Sequence, residues 1–557
     1  MDQEKENRYK QLMQLFAELK NIRTNYEAGW EAITRFCAPG RDFWSTVKES
    51  PTKPTNWIYD GTALGALNLL ANGLQGYMAS KQTKSFKVGL QSFKTLQYQP
   101  YKGRMRSYMH QLDDVFYEMI DKSNFYQAAN EAFQVGGSIA TMVMFVDLVP
   151  NENELVNIVC HPNDVWISEN DVRIVDTIFR RIDMKAKDIL RRWPAELDTQ
   201  FKEQAKQSPY KVHEVIHAVL PRDTRDATKI DNQNKKFASY WMLPEKQLLL
   251  DESGFDSNPY VVWRWSTPNS NTYGWGPAHE AMADIIRSNR MGKDIDDAAS
   301  LFLYPALNVP VESQGKLDLR PKGMNPYVDP SRVVTPIQQT GTYPIGIDRE
   351  QSKQKAIRDH FFVDMFLMLN STAENSNRTA TEVLEMQAEK AAIMGAITTR
   401  IESEFFDPLF DRYFEIASEQ GWLPVPPPEL YEMLNGSDIR IDYIGPMSQV
   451  QQRFYQNQSI DQPLQKLFGL SVYFPEVLDN IDSDELARYI ANESTLPQSI
   501  IRDEKKLVPI RQRRDQQMQA QADAQNNKLN AGAVKDMSQA DPASLQKMMR
   551  EQTGGAV

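Results

Sequence analysis

Of the six histidines in the 557-residue chain, two bracket a glutamate: His213-Glu214-Val215-Ile216-His217. On a helix, that spacing brings two imidazoles to one zinc ion with the carboxylate beside them as general base, the chemistry of a metal-dependent hydrolase. The surrounding run argues for a different backbone. KVHEVIHAVLP is dominated by Val, Ile, Leu and Ala and is closed by Pro221, which is strand composition. On a strand, residues four apart share a face but stand about 13 Å apart, too far to share a metal. No HxxGxxH continuation follows, and after His217 only His279 and His360 remain. We therefore read two strand-borne histidines and keep a zinc hydrolase as the enzymatic alternative.

Other catalytic patterns are missing. The sequence has no GxxxxGK[ST] phosphate loop, no GxSxG elbow, no CxxC pair and no GxGxxG after a strand. Its two cysteines, Cys37 and Cys160, cannot build a disulfide framework, which makes a reducing compartment the default. His161 adjoins Cys160, but neighbours on a strand point to opposite faces. The carboxylate pairs Asp113-Asp114 and Asp296-Asp297 are expected on solvated helix faces. No catalytic residue, metal ligand or cofactor is assigned, and the chain is read as a non-enzyme.

The elements that would carry any site are α+β and mainly helical. A helix is expected over 4–36, with Leu12, Leu15, Phe16, Leu19, Ile22 and Arg23 at helical spacing, then helices over about 60–80 and 100–135. The uncharged stretch 61–80 is long enough for a membrane span, but its Asn, Gln and Gly content favours a buried soluble helix. The start, MDQEKENRYK, lacks the apolar core of a signal peptide. From 138 to 265 short β-branched runs read as strands, interrupted by a helix at about 184–205. Two long helices, 276–304 and 347–370, then bracket 305–344, where seven prolines permit only turns and edge strands. A further helix is expected from 379 to about 420, a strand over 439–444, helices to about 500, and a Gln/Ala-rich tail over 511–557, either a solvated helix or disordered.

Three places could touch DNA. They are the loop 371–378 with Asn375, Asn377 and Arg378, the insert with Lys316, Arg320, Lys322 and Arg332, and the triplet Arg511, Arg513 and Arg514. Each reads first as solvated charge. Interleaved aromatics for base stacking are absent, which leaves phosphate contact without sequence readout as the alternative. A net charge of -11, from 74 acids and 63 bases, argues against a surface that grips nucleic acid throughout.

The segment WRWSTPNSNTYGWGPAHEAMADIIRSNRM at 263–291, SNRTATEVLE at 376–385 and DYIGPMSQVQQR at 442–453 resemble, in order and spacing, motifs of podovirus-type portal proteins. These are the head-to-tail connectors of short-tailed bacteriophages. The residues carrying the likeness are Tyr273, Gly274, Gly276, Pro277, Thr379, Ala380, Thr381, Glu382, Val383, Tyr443, Pro446 and Gln449. The resemblance spans roughly 10–500 and implies a portal fold: wing 1–275, stem helices 276–304 and 347–370, clip 305–346, channel loop 371–378, a long helix returning to the wing 379–445, and crown 446–510. It implies a homo-oligomeric ring of twelve subunits at one capsid vertex, through which double-stranded DNA is packaged and ejected. The implied partners are the terminase large subunit, tail adaptor proteins, and major capsid and scaffolding proteins, with no membrane. The protein would be assembled in the host cytoplasm and reside in the virion. Asn289 and Lys293 in the first stem helix would then suit subunit packing and a wet lumen, and twelve acidic chains would carry roughly -132, a field that discourages DNA from sticking. A helical adaptor without a pore is the remaining alternative.

Overall fold

The computed structural model describes residues 2–41, 56–90, 102–149, 152, 154–222, 224–226, 229, 231–268, 271–304, 307–309, 329, 335–336, 343–370, 394–426, 439–444, 466–469, 474, 486 and 504–539. The chain divides into two units, Met1–Asn457 and Gln458–Val557.

In the first unit, α1 (Asp2–Cys37) is the expected opening helix. Its Tyr9, Leu12, Phe16 and Leu19 are buried against one face of a five-stranded antiparallel sheet. That sheet has the order β4 (Val165–Glu169), β5 (Val175–Lys185), β6 (Val212–Pro221), β7 (Phe237–Leu243) and β8 (Leu248–Phe255). Alternation along β6 decides the faces: Ile216 and Ala218 point to α1, while Val215 packs among Ile189, Trp193, Phe201 and Trp241 on the other side. Arg23, at the end of the expected stripe, is buried. Its guanidinium donates to the carbonyls of Pro162, Asn163 and Val165 at 2.9–3.1 Å and lies over the Trp166 ring, whereas Ile22, expected in the buried stripe, is 49% exposed.

The largest core gathers α2 (Thr62–Met78), α3 (Lys102–Lys122), α4 (Phe125–Ser138) and a three-stranded sheet, β3 (Leu155–Cys160), β2 (Thr141–Leu148) and β9 (Tyr260–Arg264). α2 is the uncharged stretch, with Leu67, Leu70 and Leu74 fully buried; no helix among the described residues is long and apolar enough to cross a membrane. The same core takes in α7 (Pro277–Leu303), α8 (Tyr343–His360), α9 (Val363–Asn370) and the helical residues 394–401, which pass through a π turn, Glu402–Phe406, into α10 (Asp407–Glu419). The described residues also form two short antiparallel ladders: β1 (Phe86–Leu90) with β12 (Ile439–Tyr443), and β10 (Leu307–Asn308) with β11 (Thr335–Pro336). The α+β, mainly helical class read from the sequence is the class observed.

Several single helices of the sequence reading are two. The stretch 100–135 breaks at Ser123-Asn124, where the Asn124 side chain pairs with the backbone of Asn157 on β3, donating and accepting at 2.8 Å. The stretch 184–205 becomes α5 (Ala186–Arg192) and α6 (Thr199–Gln207), parted by Pro194; Asp198 caps α6 by accepting from the Phe201 amide at 2.7 Å. The stretch 347–370 breaks at Phe361-Phe362, with Phe362 at φ 56°, a left-handed conformation costing a non-glycine residue roughly 1–2 kcal/mol.

Two polar side chains of expected solvated or lumenal faces have partners within the chain. Asp113 is buried and accepts from the Val88 amide at 2.6 Å because β1, absent from the sequence reading, lands on α3; burial lifts its carboxyl to about 6. Asn289 is half-buried. Its side chain accepts from the Tyr59 and Asp60 amides at 2.7 and 3.3 Å and donates to the Trp57 carbonyl at 3.0 Å, which pins that segment to α7. Lys293, Asp296 and Asp297 are exposed as expected.

The described residues of the second unit include α11 (Glu504–Gln539). Every residue of this helix with a described side chain is exposed, Arg511, Arg513 and Arg514 among them, so the start of the tail is a solvated helix.

Candidate functional site

The His-Glu-x-x-His residues lie on β6, as strand composition requires. His217 is fully enclosed. Its Nδ1 shares a hydrogen bond with the Tyr260 hydroxyl at 2.7 Å, its Nε2 another with Ser239 Oγ at 2.9 Å, and its ring stacks on Trp241 with centroids 4.1 Å apart. Both nitrogens are committed, so neither has a lone pair to give a metal. Burial beside Arg180 and Arg192 holds the imidazole well below its usual pKa, and therefore neutral. His213 is buried with Nδ1 2.6 Å from Glu245, and Glu214 stands on the exposed face. Among the described residues no group of three or more His, Cys, Asp and Glu could hold a metal. Burial pushes the Cys37 thiol up to about 12 and raises that of Cys160. This is packing chemistry, a set of polar groups satisfied inside a sheet.

The motif 263–277 has a specific mechanical arrangement. Ala140, between α4 and β2, has φ 63°, and its carbonyl accepts from the Trp265 amide at 2.9 Å. Gly274 lies directly on that carbonyl: a Cβ at 274 would stand 2.0 Å from the Ala140 oxygen. Its amide donates to Thr141 Oγ1 at 2.8 Å. Tyr273 is buried against Tyr26 and Trp30 of α1, and its hydroxyl accepts from the Ile167 amide at 3.3 Å. Gly276 then caps α7 and Pro277 occupies its first turn, where a missing N–H costs nothing. Trp263 fits over Gly136, where a Cβ would meet its ring at 1.9 Å. The motif therefore anchors the start of α7 to α1, to the α4–β2 turn and to β4.

Arg264 carries the charge chemistry of the same segment. Its side chain, 5% exposed, pairs with Glu169 at 2.8 Å and Glu404 at 3.1 Å and donates to the carbonyls of Arg173 and Thr272. Arg400 supports Glu404 at 3.1 Å. Sequence reading noticed Arg264 only as a motif letter; its partners lie 95 and 140 residues away. Tyr443, another motif residue, donates to Asp407 at 2.5 Å; burial, reinforced by that carboxylate, raises its pKa.

α7 and α8 form an antiparallel pair tied by Lys353 to Asp284 at 2.8 Å. The remaining assigned residues lie outside the described residues: Asn375, Asn377 and Arg378; Lys316, Arg320, Lys322 and Arg332; Thr379, Ala380, Thr381, Glu382 and Val383; Pro446 and Gln449.

His279 at the start of α7 yields a pH prediction. Burial lowers its pKa to about 4, and the positive end of the helix also disfavours a charged imidazole. An unfolded histidine titrates near 6.5, so the unfolded chain takes up this proton first as pH falls, and stability from this site is lost between about 6.5 and 4. At pH 5 the wild type should have lost about 2 kcal/mol relative to His279→Gln, compared with the same pair at pH 7.5. Equal pH dependence of the two melting temperatures would rule the site out.

The bacteriophage head to tail connecting protein family matches residues 9–501. The chain is similar to the portal protein of Salmonella phage epsilon15, at 27% identity over 566 aligned residues and 97% of each chain. It is also similar to the probable portal protein of Bordetella phage BPP-1, at 26% identity over 545 residues and 94% of each.

Proposed function

The chain belongs to the family of bacteriophage head to tail connecting proteins, and from that premise we propose that it forms a ring, with twelve copies as the expected number, at one vertex of the phage capsid. A head-to-tail connector is a component of the virion and joins capsid to tail. The finer reading is a channel through which double-stranded DNA enters during packaging and leaves during ejection. The terminase large subunit, and later the tail adaptor proteins, would dock on the proline-rich insert.

The observation that carries this is the match across 9–501, which is nearly the whole chain rather than one motif. The geometry is compatible with it. α7 has 27 residues, about 40 Å of helix, and returns through α8 after an insert that begins and ends with the β10–β11 ladder. In this reading 276–304 (α7) and 347–370 (the rest of α8, with α9) are the stem, 305–346 the clip with Lys316, Arg320, Lys322 and Arg332 as docking residues, and 371–378 the loop that presents Asn375, Asn377 and Arg378 to DNA. An acidic subunit with only scattered bases suits passage, because a strong phosphate grip would stall translocation.

Electron micrographs of the purified protein test the reading. Rings with a central hole are expected for the wild type and equally for Arg378→Ala, while DNA packaging by the variant falls. Monomers or filaments in the wild type would overturn the ring; undiminished packaging would remove Arg378 from the lumen.

A further inference from the structure

The α8–α9 break is a strained joint between two helices that the sequence writes as one. Ile357, Phe361, Met365, Phe366 and Leu369 continue a single helical stripe through it, and residues 359–364 contain no glycine or proline. Yet Phe362 sits at φ 56°, where a bulky side chain is a genuine outlier. The backbone bonds around the break run from Phe361 to the Ile357 carbonyl, Phe362 to Asp359, and Met365 and Phe366 to Phe362, at 3.1–3.3 Å. Among the described residues none comes from the amides of Val363 or Asp364, which would bond to Asp359 and His360 in a continuous helix.

Long-range contacts hold the bend. The Phe362 ring stacks on Trp265 with centroids 6.4 Å apart, and Phe366 lies against Gly73, where a Cβ would meet its ring at 2.4 Å. Tyr77 flanks Phe366 at 5.9 Å. Tertiary packing and local backbone preference therefore oppose each other at one residue.

We propose that residues 359–366 form a two-state joint: the bent form seen here, propped by Trp265 and Gly73, and a straight form in which α8 and α9 are one helix over 343–370. Straightening trades the Trp265 and Gly73 contacts for a relaxed Phe362 and two further helical hydrogen bonds. It would also redirect α9, which leads into residue 371, the start of the proposed DNA-facing loop. That consequence rests on the channel reading; the joint itself does not.

The test places nitroxide labels at Lys355→Cys and Leu367→Cys, both exposed, while Cys37 and Cys160 are buried and resist labelling. Labelled chains are diluted into unlabelled ones so that only distances within a chain are read by pulsed dipolar spectroscopy. A straight helix separates the two backbone positions by about 18 Å, and a bend brings them closer. Phe362→Gly and Phe362→Ala both lose the ring, so their difference reports backbone preference alone: glycine tolerates the left-handed bend, and alanine favours the helix. The bent-to-straight ratio should be more than tenfold higher in Phe362→Gly than in Phe362→Ala. Gly73→Ala, which displaces Phe366, should raise the straight population in a chain that keeps Phe362. One identical distance in the wild type and all three variants overturns the joint, whether or not the protein forms rings.

Discussion

Replacing Arg264 with methionine is expected to destabilise the first unit by about 3–5 kcal/mol, the cost of removing one partner from a buried ion network. Methionine keeps most of the side chain's bulk, so the loss isolates the charge. Glu169 would keep its carboxylate without the cation 2.8 Å away, while Glu404 would retain Arg400 and the backbone amide of residue 264. The carbonyls of Arg173 and Thr272 would lose their donors as well. Lysine should restore only part of the loss, because a single ammonium cannot reproduce a planar fork that serves two carboxylates and two carbonyls. Adding Glu169→Gln to Arg264→Met should recover stability, since that change removes the carboxylate left without its cation; coupling of about 0.5–3 kcal/mol is the usual range for such neighbours. Thermal melts of the three variants decide the matter, and an unchanged melting temperature in Arg264→Met would show the network to be dispensable.

The network also shows where sequence reading stops. The strand β6 could be read because alternation is local: Val215, Ile216 and His217 declare their faces to anyone who knows the period is two. α1 and α2 were readable for the same reason at period 3.6. What could not be read depends on chain segments far apart in sequence. β1 is five residues, FKVGL, and finds its partner at 439–443, so nothing near residue 88 announces a strand or the burial of Asp113. Phe361-Phe362 looks helical because the bend is imposed by Trp265 and Gly73. Asn289 looks like a wet helix face because the Trp57–Asp60 segment it holds precedes it by more than 200 residues. The motif residues 273–277 could be recognised but not explained, since their meaning lies in the position of Ala140.

That position makes Gly274→Ala the second large effect. The new methyl would stand 2.0 Å from the Ala140 carbonyl oxygen and 2.9 Å from its carbon, so backbone rather than a flexible side chain must yield. Ala140 has little freedom to do so: it is fully buried, holds φ 63°, and accepts from the Trp265 amide through the same oxygen. The segment 273–276 must lift instead, which threatens the Gly274 bond to Thr141 and the cap of α7 at Gly276. Overpacking of this kind costs about 1–3 kcal/mol and occasionally more. Gly29→Ala is the matched control. It lies in α1, where an added Cβ would have nothing within 4 Å, and should gain up to about 1 kcal/mol from helix propensity. Adding Ala140→Gly to Gly274→Ala should recover part of the loss, because glycine takes the left-handed turn without strain and lets that carbonyl move. If Gly274→Ala melts with the wild type, the clamp is not what sets the start of α7, and the bond between motif and helix must be sought elsewhere.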